Sequence, residues 1–308
     1  MRATLQKIIN YAVKAPALQD SRPWTFRAEG CSLFIYPDYS RIRRTEDDDF
    51  RQLFISLGCA VENAVVAANA FGYRDSVTCR FANDQDSVRI TLEPAEAMNG
   101  QDLFLAIGER STVRSSYRAQ AIPAEQLADL ALQARERNVL LKIFDTEEEL
   151  RRLLPLVEEA VTLQYRDRDF PTWLRNPAGE LMETGSVPRW MGSMYAAHAD
   201  AAKVEARKVR ELVQASAALV LFATTNNSKE GWVSLGRSYE RLALRATALG
   251  IRHSLLNMPC EEKAVCEKLK RELGYGSEEP GLLIRLGYEK AASGSYRRQQ
   301  AASGVGEE

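Results

Sequence analysis

The sequence predicts an α+β protein made of two related halves. Two long apolar helices, at about residues 50–70 and 232–249, align without gaps at a spacing of 178 residues. In that register three features coincide: Ser56-Leu57-Gly58 with Ser234-Leu235-Gly236, Glu62 with Glu240, and Gly72 with Gly250. Short strand patterns accompany each helix. Because an internal repeat decides the architecture, we predict two fused, pseudo-symmetric halves covering residues 1–100 and 101–308.

The first half opens with a helix, since its apolar residues follow helical spacing up to Pro16. A strand is predicted over residues 32–36, where Pro37 and Asp38 follow. The long helix is apolar on more than one side, which is typical of a buried helix, and Gly72 is placed to end it. Two further strands, at residues 77–81 and 87–92, predict a hairpin.

The second half starts a similar order with a helix after Pro123 and strands at residues 140–144 and 218–223. The strand before Asp145 resembles the strand before Asp38, at a spacing of 107 residues instead of 178. We therefore expect about 71 extra residues in the second half, in an insert at about 146–208. Its aromatic and proline-containing part, residues 170–195, predicts either a lid or a packing arm.

Composition excludes several classes of protein. The net charge of −1 argues against nucleic-acid binding through bulk charge, and no apolar run of about 18 residues predicts a membrane span. Charges at Arg2, Lys7 and Lys14 interrupt any signal peptide. Five scattered cysteines without a CxxC pattern indicate reduced thiols in the cytoplasm. With only two histidines, a His-rich metal site is not expected.

Three segments carry candidate chemistry. The first is Arg110-Ser111-Thr112-Val113-Arg114. Its two guanidiniums share one face whether the chain is extended or helical, and together with the Thr112 hydroxyl they suit an anion. A solvated face is the alternative. In the second, the turn from Ala15 to Trp24, the residues form either a wall for a planar ligand or a core anchor. The third combines a buried strand at residues 281–288 with a late basic pair, Arg297 and Arg298.

Together these motifs resemble the nitroreductase superfamily, and more closely its double-length branch exemplified by the mycobacterial Acg proteins. The resemblance runs from about residue 5 to 298 and is poor in the insert. It implies mainly antiparallel sheets with long core helices, and one FMN held between the halves. The turn before Pro23-Trp24 occurs only in the first half, and the Arg-x-Thr-x-Arg motif occurs only in the second. The two halves would thus complete one composite site.

The resemblance also assigns the residues expected at the cofactor. The phosphate and ribityl chain would contact Arg110, Ser111, Thr112 and Arg114, with Arg297 or Arg298 nearby. The remaining cofactor contacts would come from the opposing turn and from the segment near the flavin N5: Ala17, Leu18, Asp20, Arg22, Leu255, Leu256 and Asn257. This chain departs from the family in the turn, where Ala17-Leu18 replace Ser-Ser, Asp20 replaces Asn and Arg22 replaces Gln.

Three functions remain open from the sequence. The first is an FMN-dependent NAD(P)H oxidoreductase acting on a small aromatic or quinone-type acceptor, in which the flavin carries the chemistry and no catalytic side chain is obligatory. The second is a non-catalytic protein that sequesters FMN under a lid. The third is a scaffold without flavin. Either a monomeric pseudo-dimer or a homodimer is compatible with the fused halves.

Overall fold

The structure is a computed structural model that describes residues 1–17, 21–42, 49–82, 86–95, 101–166 and 201–290. Its first part contains α1 (Arg2–Ala12), β1 (Trp24–Glu29), β2 (Ser32–Pro37), a 3-10 turn (Tyr39–Arg41), α2 (Arg51–Ala70), β3 (Tyr73–Arg80) and β4 (Ser87–Pro94). Its second part contains α3 (Gln101–Glu109), α4 (Ala124–Gln133), β5 (Val139–Phe144), α5 (Glu147–Arg166), α6 (Ala201–Gln214), β6 (Ala218–Thr224), α7 (Lys229–Ala248), β7 (Arg252–Leu255), α8 (Met258–Glu261), α9 (Lys263–Leu273) and β8 (Glu279–Gly287). The α+β class predicted from the sequence is confirmed.

The strands form two four-stranded antiparallel sheets with the same order of strands. The first sheet runs β1-β2-β4-β3 and the second runs β5-β6-β8-β7. By position, β2 therefore corresponds to β6, and β5 takes the edge position of β1. The sequence match between the strand before Asp38 and the strand before Asp145 is wrong, because an Asp that follows a strand does not encode which strand lies beside it.

The extra residues of the second part lie between β5 and β6, where the first sheet has only the turn at Gly30 and Cys31. Helices α5 and α6, at the two ends of this insert, pack with α9 on the outer face of the second sheet, against Leu219 and Leu221. Residues 167–200, which include the aromatic segment predicted as a lid or arm, lie outside the described residues. The insert thus covers a sheet face through its flanking helices.

The two sheets differ in burial, because the insert helices cover the outer face of the second sheet. Every residue of β6 is buried, because α7 covers one face of the second sheet and the insert helices cover the other. In β3 burial alternates, so that Val77 and Cys79 face the core while Arg74 and Ser76 are exposed. The first sheet therefore presents a polar face to solvent.

The two long helices cross at a pair of glycines. A Cβ atom placed on Gly58 of α2 would lie 2.1 Å from the Val233 carbonyl oxygen, and one on Gly236 of α7 would lie 1.9 Å from the Ile55 carbonyl oxygen. The contact is reciprocal, because both pairs of residues are related by the same spacing of 178. Only glycine at both positions allows the backbones to approach this closely.

A buried ionic cluster lies beside the crossing. Glu62 of α2 accepts hydrogen bonds from Arg237 Nε at 3.0 Å and Arg241 Nε at 2.7 Å, both on α7. Arg241 also donates to Glu136, which follows α4. Burial acts to raise the pKa of Glu62, but the adjacent Arg241 and Arg237 outweigh it, so that the pKa lies below its ordinary value. These pairs explain how a carboxylate is accommodated in an apolar helix.

Helix α2 is long and apolar enough to span a membrane by composition alone, but 89% of its apolar window is buried inside the molecule. Its residues pack in the main core with α1, α7 and the first sheet. Among the described residues no other helix meets the same criteria of length and composition.

We predict that Gly58→Ala lowers the free energy of unfolding by about 3 kcal/mol, because the added methyl group collides with the backbone of α7. The control is Gly108→Ala in α3, where an added Cβ has nothing within 4 Å. There, alanine should leave the free energy unchanged or raise it by up to about 1 kcal/mol. Urea denaturation of both variants checks the prediction, and equal effects would contradict it.

Candidate functional site

The Arg110–Arg114 segment leaves α3 and runs alongside the edge strand β7. Thr112 forms a parallel bridge with His253, and the Val113 N–H donates to the His253 carbonyl oxygen at 3.1 Å. Ser111, Thr112 and Arg114 are exposed, whereas the Arg110 side chain is only 11% exposed. The segment is extended. The prediction that Arg110, Thr112 and Arg114 share one face is wrong, because the buried Glu240 draws Arg110 inward while the other side chains remain available to a ligand.

Arg110 connects this segment to the end of the first helix. Its Nη2 donates to the Lys14 carbonyl oxygen at 3.3 Å, and its Nε lies 3.4 Å from Glu240 Oε1 on α7. Lys14 immediately precedes the turn that the sequence singled out. The structure thus brings together two candidate motifs that lie almost a hundred residues apart.

The turn itself is only partly described. Ala17 packs against the main core, and Leu18 and Asp20 lie outside the described residues. Arg22 is exposed with a left-handed φ of 45°, and its carbonyl oxygen accepts from Arg41 Nη1 at 3.3 Å. Trp24 is 4% exposed within the main core, which supports its interpretation as a core anchor.

The Leu255–Asn257 segment is mostly engaged in holding the second sheet. The Leu256 N–H donates to the Leu283 carbonyl oxygen at 2.8 Å, so it is not free to orient a flavin. The Asn257 side chain accepts from the Leu283 N–H at 3.0 Å and donates to Glu261 at 2.9 Å. Leu255, which is 47% exposed, is the member of this segment that remains open to a ligand. Arg297 and Arg298 lie outside the described residues.

The partners of Arg110 were missed from the sequence. With its amide oriented to satisfy both neighbours, Asn63 of α2 donates to Glu240 Oε1 at 2.9 Å and accepts from the Ala15 N–H at 3.2 Å. Burial raises the pKa of Glu240 to about 7, and Arg110 only partly opposes this. The repeat aligns Glu240 with Glu62 and so indicated that the two glutamates occupy equivalent positions. It did not identify the partners of either glutamate.

His253 lies in the same buried region. Its Nδ1 is 3.3 Å from the hydroxyl of Tyr239, and burial lowers the pKa of His253 to about 3. The imidazole is therefore neutral at physiological pH, and it supports the segment through its backbone. A neutral ring of this kind is not poised as a general acid or base.

The side chains that remain exposed fit an anionic group. Arg114 offers a guanidinium fork, and Ser111 and Thr112 offer hydroxyl donors from a backbone that is hydrogen-bonded to β7. Within the part of the chain that the structure describes, Arg114 makes no ion pair with a carboxylate. This set of donors is suited to a phosphate group.

We predict opposite pH effects from the two related glutamates. Because the folded-state pKa of Glu240 is raised from 4.5 to about 7, the wild type should lose stability relative to Glu240→Gln as pH rises through this range, by about 3 kcal/mol. The pKa of Glu62 is lowered, so its contribution is present above the ordinary pKa of 4.5 and is lost as pH falls. Urea unfolding of wild type, Glu240→Gln and Glu62→Gln at several pH values tests both signs. Parallel pH profiles for the two variants would contradict the assignment.

No family model matches the sequence. Two proteins from Mycobacterium tuberculosis strains CDC 1551 and H37Rv, each provisionally named as an NAD(P)H nitroreductase, are 23% identical over 302 residues, covering 92% of this chain and 85% of theirs. A crystal structure from Anabaena variabilis, also provisionally named a nitroreductase, matches with a TM-score of 0.55 and 10% identity, over 90% of this chain and 82% of that chain. Along most of its length the chain is thus similar in sequence to proteins named as nitroreductases, and it shares the fold of one such protein.

Proposed function

We propose that this chain binds one FMN between its two halves and uses it to oxidise NAD(P)H and to reduce a small aromatic or quinone-type acceptor. The observation that carries the proposal is the hydrogen bond from Arg110 Nη2 to the Lys14 carbonyl oxygen, because it joins the only Arg-x-Thr-x-Arg motif to the only Pro-Trp turn. The similarity to proteins named as NAD(P)H nitroreductases supports the choice of reductant.

We further propose that the halves, residues 1–100 and 101–308, arose by duplication of one unit. The identical strand orders and the reciprocal contact of Gly58 and Gly236 support this proposal. Each recognition motif occurs once, so one chain has one complete site. A fused pair of this kind is compatible with a monomer and also with a homodimer, and we place the protein in the cytoplasm.

In this proposal Arg114, Thr112 and Ser111 hold the phosphate, because they are the exposed donors of the segment. The turn of the first half, with Ala17, Leu18, Asp20 and Arg22, remains the candidate for contacts from the other side, and Leu255 offers an exposed apolar surface to the flavin. Arg110 links the two motifs, since its guanidinium pairs with Glu240 and donates to the Lys14 carbonyl oxygen. Arg297 and Arg298 remain candidates for a further contact with the phosphate.

When bound, FMN supplies the redox chemistry, and the protein supplies position and electrostatics. The residues of this chain orient the cofactor through the rigid Arg110–Arg114 segment, which is hydrogen-bonded to β7 at His253. Neutral His253 adds no charge beside this segment.

A second candidate is a protein that sequesters FMN without turnover. The replacement of two serines by Ala17 and Leu18, and the presence of Asp20 in the turn, favour weaker or altered binding of the cofactor. The insert at about 146–208 supplies enough chain for a cover over a bound flavin. This candidate uses the same site and differs only in access of NAD(P)H to the flavin.

The deciding experiment is anaerobic titration of the purified, FMN-loaded chain with NADPH and NADH, followed by absorbance. Bleaching of the flavin by a nicotinamide, and reoxidation by a quinone or nitroaromatic acceptor, support the oxidoreductase. A flavin that dithionite reduces but neither nicotinamide reduces supports sequestration. A chain that binds no FMN overturns both candidates.

We predict that Arg114→Ala raises the Kd for FMN by about 10- to 100-fold, because a charge-assisted hydrogen bond to phosphate is worth about 1.5–3 kcal/mol. The free energy of unfolding should change by less than about 0.5 kcal/mol, since the side chain is exposed. Arg118→Ala is the matched control, because Arg118 is an exposed arginine four residues further along, beside Tyr288. Flavin fluorescence titration measures each Kd, and an equal loss in both variants would count against the assignment.

A further inference from the structure

We infer that Arg285 is a positioning residue for the phosphate-binding segment, and that its buried positive charge favours an anionic ligand there. The inference rests on the proposed function, because it concerns how the Arg110–Arg114 segment is held for FMN. Arg285 lies in β8 and was noted in the sequence only as part of a buried apolar strand.

The guanidinium of Arg285 holds the segment at two points. Its Nη2 donates to the carbonyl oxygens of Val113 and Ser115, at 2.9 Å in each case. These residues flank Arg114, so the part of the chain that carries the exposed guanidinium is fixed on both sides. The Val113 N–H is engaged as well, by His253, which leaves the backbone of this segment little freedom.

Tyr117 contacts both Arg285 and the segment that Arg285 holds. The guanidinium carbon of Arg285 lies 4.2 Å from the centroid of the Tyr117 ring, and the Tyr117 hydroxyl donates to the Val113 carbonyl oxygen at 3.3 Å. Gly287 makes room for the ring, because a Cβ there would lie 2.5 Å from Tyr117. Burial raises the pKa of Tyr117 to about 12, so the phenol is neutral and contributes an aromatic face.

Arg285 differs from the partly buried Arg110 and Arg241 in its lack of a carboxylate partner. Arg110 pairs with Glu240, and Arg241 pairs with Glu62 and Glu136. Arg285 is 1% exposed, and within the described ranges it has no ion pair and its Nη1 has no hydrogen-bond partner. Glu289, which bridges to Tyr117 through the backbone, pairs with Arg252 at 3.2 Å.

A buried guanidinium without a counter-charge is costly for stability, and an apolar side chain of similar size would fill the same space at lower cost. Burial accordingly lowers the pKa of Arg285 below its ordinary value. A bound phosphate would offset this cost, because its negative charge would lie on the segment that Arg285 holds. The arrangement therefore favours FMN over a flavin without a phosphate.

The test compares the affinities of FMN and riboflavin, which differ by the phosphate, in wild type, Arg285→Met and Arg285→Lys. The control is Arg51→Met, because Arg51 also donates to two backbone carbonyls, of Cys260 at 2.8 Å and Pro280 at 3.4 Å, away from this segment. Fluorescence quenching gives the Kd for each flavin, and the readout is the ratio of the two values.

We expect Arg285→Met to reduce the preference for FMN at least 10-fold, and Arg285→Lys, which keeps the charge but loses the planar fork, to reduce it less. Arg51→Met should leave the ratio at the wild-type value even where it lowers stability. If Arg285→Met does not fold, Arg285→Lys decides by the same ratio.

An unchanged ratio in the Arg285 variants, with a wild type that binds FMN, overturns this inference alone. A wild type that binds neither flavin overturns the proposed function, and this inference with it. A loss of affinity that is equal for FMN and riboflavin assigns Arg285 a purely structural role and also overturns the inference.

Discussion

The close contact of α2 and α7 at Gly58 and Gly236 is the constraint on which the rest of the structure depends. Each glycine faces a carbonyl oxygen of the other helix, so neither position has space for a side chain. The crossing places both sheets around one shared core, which includes residues from β2, β4, β6 and β8. Residues of α2 and residues 178 positions later, in α7, therefore lie on opposite sides of the helix crossing.

The two sides of this contact are related in backbone but not in charge. Glu62 is held by Arg237 and Arg241, whereas the positions related to these arginines carry Cys59 and Asn63 beside Glu240. Because α2 has no arginine at these positions, Glu240 instead pairs with Arg110, which lies outside the two long helices. This is why the Arg110–Arg114 segment is anchored on one side of the crossing.

The same difference sets the charge states of the two glutamates. Two guanidiniums outweigh burial at Glu62 and lower its pKa, whereas a single guanidinium at Glu240 leaves burial dominant and the pKa at about 7. The Arg110–Arg114 segment is then held from three directions, by Glu240, by the backbone of β7 and by Arg285 of β8. A rigid backbone with exposed donors is the property that an anionic cofactor requires.

The sequence by itself determined the elements whose signals are local. Helical periodicity and terminal glycines predicted α2 and α7, and Gly72 and Gly250 adopt the expected left-handed conformation, with φ of 80° and 72°. The repeat in one register also predicted that Gly58 and Gly236 are equivalent.

Only the tertiary structure decided which strands lie side by side and which charges meet. The strand before Asp145 is an edge strand, like β1 and not like β2. The sequence did not predict this position, because pairing across a long insert leaves no mark in local periodicity. The partners of Arg110 lie just after α1 and on α7, and the carbonyls bound by Arg285 lie some 170 residues away in the chain. Contacts at such separations arise from packing of the whole core, which a one-dimensional pattern of apolar and polar residues does not specify.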